Sequence, residues 1–403
     1  MKKQFKMKSK NRFLMLLLFA GGLLAASCEK PAIDPGGNDD PATDTTSTEE
    51  PGKDTTIVYA LGVEPSSLYL LRSESATLSW SFSPETPELA DAPVWSSDDE
   101  SVATVSPEGE VSAVSPGKTV IRLAAGDYSA ECKVTVFMGD KKPEKAYVGD
   151  YYLSDGSILS QNSSRAEIGA MDVIGVVFCT DTSRMSGFEK KALWEKGIEP
   201  NGLVMSAKQA PEPLRWYYTD TYDFTLNEEE IGMPNIIVYD DPVATYRMAN
   251  EDLNGYMYYK QIKELRAKEL AAGYYQVFTY VAEFEESVPS PEISTGWYLP
   301  SNGQWFDILR GLAKGSVDEN NLVPEGNEDF YWMQLGPLST NINNILEPVK
   351  EHSEFIGSGM MFWTSSVASP SETRFISLDD NGFSCCYRYY KMEYMNVLCV
   401  LGF

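Results

Sequence analysis

The chain has 403 residues and a formal net charge of −26, from 33 basic and 59 acidic residues. A surface this negative repels phosphate backbones, so the composition argues against nucleic acid as a partner. The only histidine is His352, in a polar stretch with no metal-ligand partner three or four residues away. This scarcity argues against hydrolases with a serine–histidine or cysteine–histidine pair, and against histidine-rich metal sites. We therefore expect neither catalysis nor a cofactor.

Residues 1–27 predict a secretory signal. A basic stretch precedes an apolar run from Phe13 to Leu24, and three small residues follow this run. The apolar run is shorter than the ~20 residues that a membrane-spanning helix needs. Cys28 follows the small residues in a pattern that resembles a bacterial lipobox, and this implies cleavage before Cys28 and diacylation of its thiol. The resemblance implies a lipid-anchored protein of the cell envelope, and an ordinary secretory signal is the alternative. We expect the outer membrane, with the protein exposed at the cell surface; the periplasmic face of that membrane remains open as the other orientation.

Residues 28–56 differ from their surroundings in composition. Between Glu29 and Thr56 there are eight acidic and two basic residues, with Pro, Gly, Thr and Ser and few apolar side chains. Such a segment cannot bury enough apolar surface to offset the entropy lost on ordering. We therefore expect a disordered acidic stalk that holds the folded parts away from the membrane.

Residues 57–138 predict an all-β sandwich. Seven short strands are separated by turn residues, at 67–71, 76–82, 93–96, 102–106, 110–114, 119–124 and 130–137. The segment resembles the group 2 bacterial immunoglobulin-like domain at 94–98 (VWSSD), 102–105 (VATV), 109–114 (GEVSAV) and 116–121 (PGKTVI). Trp95 is expected to fill the core of the sandwich. The resemblance implies a spacer or an adhesion module.

Residues 139–145 predict a short polar hinge, and residues 146–403 a mixture of strands and helices. Helices are predicted at 257–272, stopped by Gly273, at 303–313, capped by Ser301, and at 341–347. Strands are predicted at 174–180, 202–206, 277–284, 361–365, 374–378 and 396–403. The last of these is apolar enough to predict a buried central strand.

Four segments of the C-terminal region resemble the C-type-lectin-fold domains of lipoproteins from Bacteroides-like bacteria. They lie at 147–156 (YVGDYYLSDG), 296–305 (GWYLPSNGQW), 362–366 (FWTSS) and 397–403 (VLCVLGF). The resemblance implies an α+β C-type-lectin-like domain over 146–403, related in fold to formylglycine-generating enzymes and to the variable proteins of diversity-generating retroelements. Leu398 stands where the family usually has arginine. The adjacent Cys385 and Cys386 do not supply the cysteine pair of the formylglycine generators.

The segment 379–396 holds the candidate ligand-binding residues. Rigid tyrosines beside arginine are typical of binding surfaces, whereas a plain hairpin would turn its tyrosines alternately to core and water. Both interpretations remain open, and at least one of the adjacent Tyr389 and Tyr390 must face outward in a strand. The candidates are Tyr387, Arg388, Tyr389, Tyr390, Tyr394 and Asn396.

Three functions follow as hypotheses. The first is a cell-envelope lipoprotein that binds an extracellular glycan or protein through its C-terminal domain, with Cys28 as its membrane attachment. The second is a structural or accessory subunit of a surface or fimbrial assembly. The third is an enzyme related to the formylglycine generators, which the cysteine arrangement disfavours.

Overall fold

The computed structural model describes residues 58–219, 226–349 and 356–403. The predicted signal, Cys28, the stalk and His352 lie outside these residues. The described part is mostly β with several helices, and it contains two hydrophobic cores. One core is built from residues between Val63 and Val136, the other from residues between Tyr151 and Phe403. No helix in the described ranges is long and apolar enough to cross a membrane.

The first core lies inside an immunoglobulin-like sandwich of nine strands. They are β1 (Ala60–Glu64), β2 (Ser67–Leu70), β3 (Ser75–Thr77), β4 (Ser79–Ser83), β5 (Val94–Ser97), β6 (Ala103–Val105), β7 (Glu110–Ala113), β8 (Gly117–Ala125) and β9 (Tyr128–Val136). One sheet has the order β2-β9-β8-β5, and the other side is formed by β3-β7-β6 and the pair β1-β4. Buried side chains alternate along β8 and β9, so each strand presents one face to the core.

Three details of this sandwich differ from the prediction. Strand β1 was not predicted, and the single strand expected at 76–82 is split at Leu78, whose N–H donates to the carbonyl of Gly109. Trp95 was expected to fill the core, but it is only partly buried at its edge. Its ring lies so close to Gly109, at a φ of +85°, that a Cβ there would come within 3.2 Å of the ring. Glycine is thus required both by the turn and by the tryptophan.

The first part of the segment 139–145, expected to be a hinge, is held by residues of the C-terminal region. Backbone N–H groups at 138 and 139 donate to Asp155 and to Ser157 at 2.6 and 2.9 Å. Lys141 forms a β-bridge with Ile158 and an ion pair of 2.8 Å with the buried Asp150. A Cβ on Gly139 would lie 2.2 Å from the Ile158 carbonyl oxygen. These contacts leave the junction between the two regions little freedom to bend.

The C-terminal region combines two five-stranded antiparallel sheets with eight helices among the described residues. Its strands are β10 (Tyr151–Leu153), β11 (Ile158–Leu159), β12 (Val173–Cys179), β13 (Leu203–Gln209), β14 (Leu214–Arg215), β15 (Leu322–Glu325), β16 (Asp329–Trp332), β17 (Met360–Val367), β18 (Glu372–Leu378), β19 (Ser384–Tyr390), β20 (Tyr394–Met395) and β21 (Leu398–Gly402). Its helices are α1 (Arg165–Ala170), α2 (Gly187–Trp194), α3 (Pro242–Glu251), α4 (Gly255–Leu265), α5 (Ala267–Ala271), α6 (Gln276–Ser287), α7 (Asn302–Gly311) and α8 (Leu338–Leu346). The sheet orders are β11-β10-β12-β13-β21 and β15-β16-β19-β18-β17, with a separate pair β14-β20.

Two of the predicted elements in this region are wrong in type or extent. The strand predicted at 277–284 is part of helix α6, whose buried positions Val277, Phe278, Val281 and Phe284 are spaced as on a helix face. The helix predicted at 257–272 is two helices, α4 and α5, separated at Arg266. Gly273 ends the second of them with a φ of +79°, as predicted.

Strand β21 was expected to be a buried central strand. It is fully buried, but it is the outer strand of its sheet, paired with β13 on one side. Its other edge is closed by a bridge between Val400 and Tyr298, which exchange two backbone hydrogen bonds of 2.9 Å. Thr295 adds two hydrogen bonds with Gly402, so a loop at 295–298 covers the edge where a further strand was expected.

Candidate functional site

The candidate site lies where β19 ends in a tight turn. Strand β19 pairs with β18 up to Tyr390, opposite Glu372. The N–H of Glu393 then donates to the carbonyl of Tyr390, and β20 pairs with β14 so that Tyr394 lies opposite Arg215. The turn is thereby placed beside a segment almost 180 residues earlier in the chain.

Exposed tyrosines surround this turn. The exposed fractions of Tyr389, Tyr390 and Tyr394 are 47%, 52% and 56%. The ring centroids of Tyr389 and Tyr390 are 6.1 Å apart, and the ring planes are tilted by 58°. Both side chains reach solvent at the end of the strand. We name these three tyrosines, together with Arg215 and Tyr218, the tyrosine face.

Arg215 and Tyr218 complete the face, although neither was predicted. The Arg215 guanidinium carbon lies 3.9 Å from the ring centroid of Tyr218 and 4.5 Å from that of Tyr394. Guanidinium groups stack favourably on aromatic faces at such distances. The signal that pointed to 387–390, an arginine among aromatic residues, is also present at 215–218 and could have found them.

The other predicted site residues have structural contacts. Tyr387 is partly buried edge-to-face against Phe375, with ring centroids 6.1 Å apart. Arg388 pairs with Glu328 at 3.0 Å and with Glu372 at 3.6 Å. The Asn396 side chain donates to the Met361 carbonyl at 2.9 Å and so joins β17 to the strand end. Of the six predicted residues, Tyr389, Tyr390 and Tyr394 are thus the ones that the structure leaves exposed beside the turn.

A buried ion pair lies beneath the turn. The ammonium of Lys391 is 2.5 Å from a carboxylate oxygen of Glu228, and both side chains are almost wholly buried. The same ammonium donates to the Pro370 carbonyl, and the other Glu228 oxygen accepts from the Tyr275 hydroxyl. Burial lowers the pKa of Lys391, while the neighbouring carboxylate opposes that shift. The pair fixes the turn that carries the exposed tyrosines.

The described residues hold no exposed thiol and no cluster of metal-ligating side chains. All five cysteines among them are free and buried, and burial raises the pKa of Cys385 to about 11. A thiol with such a pKa stays protonated at neutral pH and is a poor nucleophile. Within the described ranges no three Asp, Glu, Cys or His side chains form a group that could hold a metal ion. The chemistry available at the tyrosine face is therefore stacking, hydrogen bonding and one accessible cation.

Comparison with known proteins identifies one domain. Residues 57–136 match the bacterial Ig-like domain (group 2), which confirms that part of the sequence prediction. Among curated proteins, the chain is 27% identical over 188 residues to the "Putative fimbrium tip subunit Fim1C" of Bacteroides ovatus. This match covers 39% of the chain and 31% of the relative, so the chain spans about a third of that relative's length.

Solved structures show weaker similarity. A fimbrial protein from Bacteroides ovatus is 17% identical, with a TM-score of 0.37, over 86% of this chain and 71% of that one. Domains 5–6 of the S-layer protein SbsC are 21% identical, with a TM-score of 0.18, over 20% of this chain and 44% of that one. Neither similarity is strong enough to establish a shared overall fold. The protein is therefore a multidomain, mostly β chain with one bacterial immunoglobulin-like domain.

Proposed function

We propose that this protein is an accessory subunit of a bacterial surface or fimbrial assembly and is not an enzyme. The observation that carries the proposal is the similarity over 188 residues to a relative whose name describes a fimbrium tip subunit. The immunoglobulin-like domain at 57–136 supports it, because such domains serve as spacers or adhesion modules. The closely held junction at 139–145 also suits a part that must keep a fixed geometry within an assembly.

Co-purification tests the assembly. Cells that produce the tagged protein are cross-linked, extracted with mild detergent and passed over an affinity column. We expect stable capture of other surface subunits. As the control, one strain produces the tagged protein, a second strain produces the partner proteins, and the two are mixed before cross-linking; capture should then be lost. A tagged protein that leaves the cell surface as a free monomer would contradict the proposal.

We propose further that Cys28 carries a lipid that anchors the protein on the outer face of the outer membrane. The signal-like residues 1–27 and the lipobox resemblance at Cys28 support this. Replacing Cys28 with serine should move the protein from the detergent phase to the aqueous phase in a phase-separation assay. Protease added to intact cells should degrade the wild-type protein; complete protection would show that it faces the periplasm.

For the C-terminal region we propose a C-type-lectin-like fold. Two antiparallel sheets with helices packed around them, and a buried strand β21 near the chain's last residue, support this proposal. An experimental structure of the protein, compared with lectin-fold domains, tests it. A chain path that cannot be superposed on such domains would refute it.

The second candidate function is binding of an extracellular glycan or protein through the tyrosine face. Three half-exposed tyrosines at one turn, with the Arg215 guanidinium over the ring of Tyr394, favour it, since tyrosine and arginine provide much of the binding energy at recognition surfaces. The test is binding of the purified protein to arrays of host glycans, mucins and matrix proteins. Replacing Tyr389, Tyr390 and Tyr394 with serine should abolish a signal. Replacing Tyr147 and Tyr239, which are exposed outside the face, is the matched control and should leave the signal unchanged.

A further inference from the structure

Almost every arginine of this acidic protein has an acidic partner. Eight of the ten arginines in the described residues form an ion pair with Asp or Glu: Arg122, Arg165, Arg184, Arg247, Arg266, Arg310, Arg374 and Arg388. Only Arg72 and Arg215 have no ion pair within the described ranges. Arg72 is an exposed turn residue, whereas Arg215 is partly buried and stacked. Because the chain has 59 acidic residues, a partly buried arginine without a carboxylate partner among the described residues is unusual.

The surroundings of Arg215 explain why it stays in position. Its backbone N–H donates to the side chain of Gln276 at 3.1 Å, and its strand pairs with Tyr394. The guanidinium is flanked by the rings of Tyr218 and Tyr394 at 3.9 and 4.5 Å. Aromatic faces and backbone pairing thus hold the cation without neutralising its charge.

The nitrogen atoms of Arg215 remain available for a ligand. Its Nε is buried and makes no hydrogen bond to a described residue. The two terminal nitrogens donate to no described residue and are not buried, so solvent reaches them. A guanidinium stacked by its faces keeps its N–H groups directed outward along its edge, where they match the two oxygens of a carboxylate.

We infer that Arg215, Tyr218 and Tyr394 form a subsite for the carboxylate of an acidic sugar, a uronic or sialic acid residue of a glycan. This inference rests on the second candidate function, binding through the tyrosine face. The net charge of −26 disfavours polyanions by long-range repulsion, so a single carboxylate fits better than a sulfated chain. The exposed side chains of the face are tyrosines, whose rings can stack on a sugar and whose hydroxyls can bond to it.

A protein partner fits the face less well. The centre of a stable protein interface is apolar and well packed, with polar residues at its rim. Here the cation lies in the middle, between Tyr218 and Tyr394, and each exposed ring has a polar tip. An acidic peptide is therefore a second probe in the test, and tighter binding of the peptide would count against the sugar.

Binding is measured by titration calorimetry and ligand-observed NMR with the full chain. The probes are the methyl glycosides of glucuronic acid and of N-acetylneuraminic acid, with methyl glucoside as the neutral control and an acetylated Asp-Glu dipeptide. We expect the acidic glycosides to bind more tightly than methyl glucoside. Arg215→Gln should weaken them by roughly tenfold to a hundredfold, as for loss of a charged hydrogen-bonded pair. Arg215→Lys should keep part of the affinity, and Arg72→Gln all of it.

Several outcomes would overturn the inference. Unchanged binding of the acidic glycosides to Arg215→Gln would remove the arginine from the site. An equal affinity for methyl glucoside, or a preference for the dipeptide, would exclude an acidic sugar as the ligand. Array binding that is lost on replacing Tyr389, Tyr390 and Tyr394, but kept in Arg215→Gln, would refute this subsite and leave the tyrosine face intact as a binding surface. Arg215→Lys keeps the cation and so tests the site even if Arg215→Gln does not fold.

Discussion

The immunoglobulin-like region and the C-terminal region differ in where their polar and ionisable side chains lie. In the first, Thr119 is the one buried polar side chain among the described residues, and the ion pairs of Arg122 lie at the surface. The second buries ionisable groups outright, among them Lys391 with Glu228, and the carboxyl group of Glu189. A sandwich of alternating strands is specified by its apolar face alone. In the C-terminal region the buried polar partners lie far apart in the chain, so their contacts help to fix one arrangement of the elements that carry them.

The largest effect is expected where the buried pair is broken. Lys391→Ala leaves the Glu228 carboxylate buried without its cation and should lower the free energy of unfolding by about 3–5 kcal/mol. Denaturant unfolding measures the change. The double variant Lys391→Met with Glu228→Gln should lose much less, because no uncompensated charge remains. A single variant as stable as the wild type would show that the pair is dispensable and would weaken the contrast between the regions.

Shortening a side chain in the sandwich core should have the next largest effect on the free energy of unfolding. Ile121 is fully buried, so Ile121→Ala should cost about 2–5 kcal/mol from lost burial and a residual cavity. The milder Ile121→Val should cost about 0.5–1.5 kcal/mol at the same site. Chemical denaturation followed by circular dichroism measures the change for both variants. Equal effects of the two substitutions would mean that the core relaxes around the vacancy.

A pH-dependent effect is expected at Glu189. Burial raises the pKa of this carboxyl to about 8, although the hydroxyl of Tyr298 donates to it at 2.5 Å and opposes the shift. Unfolded glutamate titrates near 4.3, so between about pH 5 and pH 8 the folded state holds a proton that the unfolded state releases. Stability should therefore fall as the pH rises through this range. Glu189→Gln should flatten that part of the curve, which thermal unfolding at several pH values would record; an unchanged slope would contradict the assignment.

The smallest effect is expected at the surface of the sandwich. Arg122 pairs with Asp98 and Glu131, but about half of each side chain is exposed, so solvent and salt screen the attraction. Arg122→Ala should leave the midpoint of thermal unfolding almost unchanged, and any difference should shrink at high salt. Arg374→Ala, which removes a wholly buried arginine from Asp329, is the control and should lower the midpoint clearly. Equal effects of the two variants would erase the distinction between surface and buried charge.

The sequence predicts the fold better in the immunoglobulin-like region than in the C-terminal region. Alternating burial in β8 and β9 leaves a period of two in the sequence, and both strands were predicted. Helix α6 was predicted as a strand because β-branched and aromatic residues dominate 277–284, and tertiary packing overrides that preference. The edge position of β21 depends on a bridge to Tyr298, a loop residue that no local pattern connects with it.

The candidate site was predictable only in its local part. The tyrosines at 387–394 are conspicuous by composition, so that half of the face was identified from sequence. Arg215 reaches it through a two-residue strand pairing, which leaves no periodicity to detect. Lys391 lies in the same segment, yet it is buried against Glu228, 163 residues away in the chain.

The closely held junction has a practical consequence for imaging. Because Gly139 lies against Ile158 and Lys141 pairs with the buried Asp150, the sandwich keeps a set orientation towards the C-terminal region. In electron micrographs the sandwich would then act as a built-in fiducial mark, as a bound antibody fragment does for small proteins. The direction in which the tyrosine face points could be read from the sandwich even where the face itself is covered by its ligand.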